Sequence, residues 1–286
     1  MTGPQAALIA GDRLHLQYGP IDLIIGVDGD RATAFAAARA AFEGLLEGLV
    51  AELPLLRGAG HREAAQSTTA TGRRMIRATA PFAAETFVTP MAAVAGSVAD
   101  TILAAMCTAT QPRRAYVNNG GDIALYLGAR QTFALGMAAH DGSSLGQVTV
   151  SAEQPTRGVA TSARHGRSLS LGIADSVTVL ADTAAAADVA ATLIANAVDL
   201  PGHPAITRRP AEDLQPESDL GQRLVVTACE PLTANDRAAA LASGIKRAET
   251  FARRGLIHAA ALFLQGDSRV LSPQHFSLSN TSLAHA

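Results

Sequence analysis

The chain has 286 residues and a mass of 29.3 kDa, with 48% apolar and 17% charged residues, a composition that excludes disorder as a reading of the whole. Lys and Arg number 23 against 25 Asp and Glu, a formal charge of -2, which provides no field for nucleic acid or anionic lipid. Aromatics are 4% and Trp is absent, so a base-stacking platform or an aromatic sugar cleft has little raw material.

In chain order, Arg13–Tyr18 and Ile21–Gly26 read as two strands about the turn Gly19-Pro20. Asp28-Gly29-Asp30 then caps a helix expected over 31–50, with Phe35, Ala38, Phe42, Leu45, Leu46 and Leu49 on one apolar face. The stretch 57–72 reads as a loop. Thr89-Pro90 opens a helix over 91–108, whose Ala92, Gly96, Ala99 and Leu103 permit close approach by a neighbouring backbone. A hairpin follows through Asn119-Gly120-Gly121, with strands at 115–118 and 122–127. Further strands are expected at 132–137, 146–150, 158–161 and 176–181. Asp182-Thr183 caps an alanine-rich helix to about Val198. The segment 201–221, with four prolines, reads as a surface excursion, followed by a strand (223–229), a helix (234–253), a strand (256–264) and a tail fraying from Ser272. Helices alternate with hairpins, which indicates α+β with antiparallel sheets packed against long Ala-rich helices, in a single domain over 1–271 with a frayed tail over 272–286.

The chain's start has no basic leader, and its most apolar stretch, 91–108, is interrupted by Asp100. With two free cysteines, Cys107 and Cys229, the expectation is a soluble cytoplasmic protein with reduced thiols.

Three segments carry candidate chemistry. On the helix after Thr183, residues Asp188, Thr192 and Asn196 recur at i, i+4 and i+8 along one stripe. A carboxylate and a hydroxyl one turn apart suit magnesium carrying nucleotide phosphates, although an amphipathic helix shows the same letters on a solvated face. In Asn118-Asn119-Gly120-Gly121-Asp122, two glycines permit positive φ and turn backbone N–H groups toward a pyrophosphate; a plain hairpin turn accounts for the same residues. In the segment 157–168, the strand end Thr161-Ser162 runs into a loop with Arg164, His165 and Arg167, offering hydroxyls and guanidinium groups to phosphate or carboxylate. His165 there is a weak candidate proton donor. No Ser-His-Asp order, zinc spacing, G-x-G-x-x-G fingerprint or Walker A loop is present.

Taken together, the segments resemble the ApbE-like superfamily, the fold of the magnesium-dependent FAD:protein FMN transferases, and the whole chain is similar to one soluble UPF-type branch of it. Residues 91–100 resemble its glycine-rich helix start ending in an aspartate. Asn118-Asn119-Gly120-Gly121-Asp122 is similar to its N-x-G-G-D turn, Ala160-Thr161-Ser162 to its A-T-S-G strand end, and Ser176-Val177-Thr178-Val179 with Ala187-Asp188 and Thr192 to its s-V-t-V strand and A-D-a-x-x-T helix. The resemblance implies a T-fold-like α+β architecture, with FAD and magnesium as cofactors. It implies a metal role for Asp188 and Thr192, with the carbonyl of Ala92 as third ligand.

The sequence also departs from that pattern. Ala95 stands where the transferases have lysine, their H-i-i-D-P-x-T-G loop is replaced by the short run 163–175, and Ala163 replaces the glycine of A-T-S-G. Arg164, His165 and Arg167 are the candidates to restore the lost positive charge. The expected function is binding of a flavin nucleotide, FAD, or a similar dinucleotide with magnesium, with transferase-like phosphoryl or FMN transfer as the chemistry if the protein is an enzyme. Two alternatives stay open: a pterin- or purine-binding enzyme of one-carbon cofactor metabolism, and a non-catalytic assembly protein. The Ala/Gly helix faces favour a homodimer in each case.

Overall fold

The computed structural model describes residues 3–60, 63–166 and 168–279. In chain order its elements are β1 (Gln5–Ile9), β2 (Arg13–Tyr18), β3 (Ile21–Asp28), α1 (Arg31–Phe42), α2 (Leu45–Ala51), α3 (Leu53–Leu56), α4 (Ala70–Thr79), α5 (Val94–Ala109), β4 (Arg114–Asn119) and β5 (Asp122–Leu127). Then follow β6 (Thr132–Ala138), β7 (Ser144–Ser151), β8 (Gly158–Ser162), β9 (Ser176–Ala181), α6 (Ala184–Ala197), β10 (Ile206–Pro210), α7 (Ala211–Leu214), β11 (Leu224–Cys229), α8 (Ala234–Arg253), β12 (Ala259–Leu264), β13 (Asp267–Leu271) and β14 (Phe276–Leu278). Short 3-10 turns cover Ala64–Gln66, Pro90–Ala93 and Pro273–His275.

The chain divides into two compact units. The first holds the described residues of 1–132, 151–160 and 181–189; the second holds those of 133–150, 161–180 and 190–286.

In the first unit β1 to β5 form an antiparallel meander, each strand paired with the next, and Gly158 and Val159 of β8 pair antiparallel with Ala124 and Ile123. Period-2 alternation sends Leu14 and Leu16, Leu23 and Ile25, and Ala115 and Val117 into the core. Helix α5 packs on β4, β5 and α1, adding Ile102 and Met106 to Phe35, Ala38 and Phe42 of α1. The run Pro90–Ala109 is long and apolar enough, by length and composition alone, to cross a bilayer; here it is a packed helix preceded by its 3-10 turn.

The single helix expected over 31–50 is broken in two. Gly44 adopts a left-handed φ of +70°, which ends one helical run and starts α2 in a new direction. Part of the expected loop 57–72 is also ordered. Thr69 caps α4 by accepting from the Gly72 N–H (3.0 Å), and the loop before it closes on the Glu52 carboxylate. Glu52 accepts from the hydroxyls of Ser67 (2.8 Å), Thr68 (2.7 Å) and Thr69 (2.9 Å) and from the backbone N–H of Thr68 (2.6 Å).

In the second unit β9 and β12 are buried on both faces and pair antiparallel, and β12 pairs with β13. Helix α8, capped by the reciprocal Thr233–Asp236 box, packs on β12 and β13. Part of the expected surface excursion is a strand, since β10 pairs antiparallel with β11. Of the tail expected to fray from Ser272, the described part passes through a 3-10 turn into β14, which pairs with β7 in a sheet ordered β14-β7-β6, and residues 280–286 lie outside the described residues. The α+β class with antiparallel pairing is as expected.

Candidate functional site

Helix α5 begins after the Pro90–Ala93 turn without a side-chain cap of its own, so its first N–H groups need partners from elsewhere. Asp188 of α6 supplies one: its Oδ2 accepts from the Gly96 N–H at 3.0 Å. The relation is mutual. Thr183 Oγ1 caps the Ala186 N–H (3.1 Å), and Asp100 of α5 accepts from the N–H groups of Ala184 (3.2 Å) and Ala185 (2.9 Å) at the start of α6. Gly96 lets the two helices meet: a Cβ there would lie 2.3 Å from the Ala184 carbonyl oxygen.

The β4–β5 hairpin lies in the same unit. Asn119 and Asp122 are paired, and Gly120 and Gly121 turn the chain with φ of +64° and +110°. Asn119 donates from Nδ2 to the carbonyl of Ala95 (3.1 Å) and accepts from the Asp22 N–H (3.4 Å), tying the hairpin to the first turn of α5. The Gly121 N–H, expected to face a phosphate, donates instead to Asn118 Oδ1 (2.8 Å). Asp122, half-buried at the start of β5, acts electrostatically on Asp188. Burial, then the charge of Asp122 and more weakly that of Asp100, hold the Asp188 carboxyl well above the usual carboxylate range, against the Gly96 and Ala95 N–H groups. Burial also raises Asp100, opposed by the two N–H groups it caps and by Arg74.

The basic loop belongs to the second unit and is already internally paired. Arg164, expected as a free phosphate ligand, places Nε at 3.0 Å and Nη2 at 2.9 Å from Asp175 Oδ1. His165 Nε2 is 3.3 Å from the same oxygen, and its ring stacks on His140 with centroids 4.0 Å apart at 18°. Burial, with the nearby Arg164 and His140, lowers the His165 pKa against the pull of Asp175. Thr161 Oγ1 is bonded to Thr178 Oγ1 at 2.9 Å, and Ser162 ends the same strand half-buried. Arg167 lies outside the described residues.

On α6, Thr192 is half-buried one turn beyond Asp188, and its hydroxyl forms no hydrogen bond with another described residue. Asn196 is committed to the fold, accepting from the Leu171 N–H at 3.0 Å. Ala92 lies within the 3-10 turn, its N–H donating to Thr89 O at 3.1 Å. The structure thus collects Asn119, Gly120, Gly121, Asp122, Asp188 and Ala92 in one unit, and Thr161, Ser162, Arg164, His165 and Thr192 in the other. Asp100, visible as the aspartate ending the glycine-rich helix start, had no role assigned from sequence. Asp175 and His140 carried no local signal.

The donor chemistry suits a hard cation. Asp188 keeps one oxygen for Gly96 and suffers the charge of Asp122, a repulsion that a divalent ion would relieve. Among the described residues no group of three His, Cys, Asp or Glu side chains is placed to hold a metal, so hydroxyl or carbonyl oxygens and water would have to complete the shell.

A family profile described as AbpE bacteria matches residues 5–270. A UPF0280 protein of Methanopyrus kandleri is 41% identical over 123 residues, 43% of this chain and 46% of that protein. A UPF0280 protein of Methanocaldococcus jannaschii is 37% identical over 115 residues, 38% of this chain and 45% of that protein. One from Methanosphaerula palustris is 42% identical over 114 residues, 39% of this chain and 47% of that protein. The matches therefore span about half the length of these curated relatives. Among solved structures, the apo form of the flavinyl transferase ApbE of Pseudomonas stutzeri aligns with a TM-score of 0.47 at 12% identity, covering 96% of this chain and 98% of that one.

Proposed function

This chain belongs to the AbpE bacteria family, and from that premise we propose that it binds a flavin nucleotide, FAD or a similar dinucleotide, together with magnesium. One observation carries the reading: Asp188 is held by the Gly96 N–H at the amino terminus of α5, beside a second carboxylate, Asp122, that makes its own negative charge costly. A carboxylate kept in such surroundings is poorly suited to mere surface solvation and well suited to a cation. Asp188 and the carbonyl of Ala92 are the proposed magnesium ligands within the first unit; Thr192, one helical turn on along α6, falls in the second. Bound magnesium supplies neutralisation of a diphosphate's charge.

The residues of the chain have separate tasks in this scheme. Asn119 docks the glycine turn on α5, and the open space around Gly121, where an added Cβ meets nothing within 4 Å, leaves room for close approach of a ligand. Phosphoryl or FMN transfer is the chemistry proposed if the bound nucleotide reacts, with charge stabilisation as the protein's main contribution. Gly96 packs against Ala184, and Gly172 against Ala195, so these small residues serve contacts inside the chain.

The test is thermal denaturation with saturating FAD, with and without magnesium. The expected result is a rise in Tm that needs both ligands and is lost in Asp188→Asn. No magnesium-dependent shift in the wild-type protein overturns the proposal.

A further inference from the structure

Helix α4 carries three arginines, and they are not equivalent. Arg73 donates to the carbonyls of Ser67 (3.1 Å) and Thr68 (2.7 Å), and Arg77 is exposed. Arg74 is half-buried, and its guanidinium forms no hydrogen bond or ion pair with any described residue. Its place follows from how α4 is anchored. Thr71, one turn earlier, donates to Thr101 Oγ1 at 3.1 Å, which pins the first turn of α4 beside the middle of α5. The helix then packs along α5 and against the Pro90–Ala93 turn, so from that pin it runs toward the amino-terminal end of α5. Thr71 and Arg74 share a face at i and i+3, and the Arg74 charge acts on Asp100, the residue preceding Thr101.

Asp100 does not consume this guanidinium. Its Oδ1 accepts from the Ala184 N–H and its Oδ2 from the Ala185 N–H, and no contact within ion-pair distance joins it to Arg74. A guanidinium has five N–H donors in a planar fork that matches the oxygens of a phosphate two at a time. A partly desolvated fork without an internal partner, beside the helix start where Asp188 is held, is an anion-binding group lacking its anion. Among the described residues of the basic loop, Arg164 and His165 do not meet this description, since both lie against Asp175.

We propose that Arg74 is the phosphate-pairing cation of this site, a binding residue for the diphosphate of a nucleotide; this rests on the reading of the site given above. Magnesium and Arg74 then divide the ligand's charge, the metal on the carboxylate side and the guanidinium on the α4 side.

The experiment is calorimetric titration of the full chain, in magnesium, with inorganic pyrophosphate, ADP, FAD and phosphate-free riboflavin, using wild type, Arg74→Ala and Arg74→Lys. Arg74→Ala is expected to weaken pyrophosphate, ADP and FAD about 10- to 100-fold, the range of lost charged hydrogen bonds, and to leave any riboflavin affinity unchanged. Arg74→Lys restores part of the loss by charge without the fork. Pyrophosphate, ADP and FAD affinities unchanged in Arg74→Ala overturn the proposal, and with a lowered Tm they make Arg74 a counter-ion of Asp100 only. An equal loss for riboflavin overturns it as well. Arg74-dependent binding of pyrophosphate and ADP, with FAD no tighter than ADP, keeps Arg74 and removes the flavin. Binding of none of the four by the wild type removes both.

Discussion

Asp100 and Asp188 each close the amino terminus of the helix that carries the other. Asp100 on α5 accepts from two N–H groups at the start of α6, and Asp188 on α6 accepts from the Gly96 N–H at the start of α5. Each carboxylate also sits at the positive end of a helix dipole. The exchange locks two elements that are 92 residues apart along the chain at the Asp188–Gly96 bond.

The two aspartates are expected to differ on substitution. Asp100→Ala strips two α6 N–H groups of their acceptor and costs about 1–2 kcal/mol, read as a lower midpoint in urea unfolding. Asp188→Asn keeps an acceptor for Gly96 while removing a charge that burial and Asp122 oppose, so in magnesium-free buffer its stability stays within about 0.5 kcal/mol of wild type or rises. A loss in Asp188→Asn equal to that of Asp100→Ala would mean that its charge serves the fold.

Glycine 96 gives a steric prediction. An added methyl would lie 2.3 Å from the Ala184 carbonyl oxygen and 2.7 Å from the Ala185 nitrogen, both backbone atoms that cannot rotate away. Gly96→Ala is therefore expected to destabilise by about 1–3 kcal/mol or more through overpacking. Gly136→Ala, in β6, has nothing within 4 Å of the added carbon and serves as the control. Comparable unfolding midpoints for the two variants would contradict the close helix contact.

Acid stability should report on Glu52. Burial works to raise its pKa, but the hydroxyls and N–H groups of Ser67, Thr68 and Thr69 outweigh that and bring it from 4.5 to about 2. The folded state thus binds this proton less readily than the unfolded one. The stabilisation is fully present above about pH 4.5 and is lost progressively as pH falls toward 2. In Glu52→Gln the part of the acid slope between those values is expected to disappear, measurable by urea titrations at stepped pH.

Histidine 165 provides a spectroscopic prediction. Burial and the charges of Arg164 and His140 lower its pKa, whereas Asp175 raises it. By NMR titration its midpoint is expected below 6.5, to fall further in Asp175→Asn, and to rise in Arg164→Ala. Opposite movements would show that the His140–His165 stack is governed by other charges.

What the sequence disclosed, and what it hid, follows from the range of the interactions. Helix α8 and strand β9 were legible to the residue because a long helical pattern and the β-branched run Val177-Thr178-Val179 are local signals. The Asn119-Gly120-Gly121 turn was legible for the same reason. The Gly44 break was not, because glycine within an apolar helical pattern fits either a continuous helix or a left-handed kink. Helix α4 was hidden behind Ser67-Thr68-Thr69, which reads as loop until Glu52, 15 residues earlier, gathers its hydroxyls. At the site, the acidic letters at Asp188 and Asp122 were visible. The partner of Asp100 lies 84 residues away, and Arg164 was read as free because Asp175 stands at the start of a strand beyond the loop.

The first unit is assembled from three separated stretches, and this orders events during synthesis. Its sheet gains Gly158 and Val159 only after the second unit's first stretch has been made, and its helix α5 gains Asp188 only after the second stretch as well. A nascent chain ending at residue 132 holds the meander and α5 but leaves the Gly96 amide without its carboxylate and the Ala124 edge without its strand. That edge stays open to adventitious strand pairing until the ribosome has passed residue 159, so mistimed contact between neighbouring nascent chains is the hazard this connectivity carries.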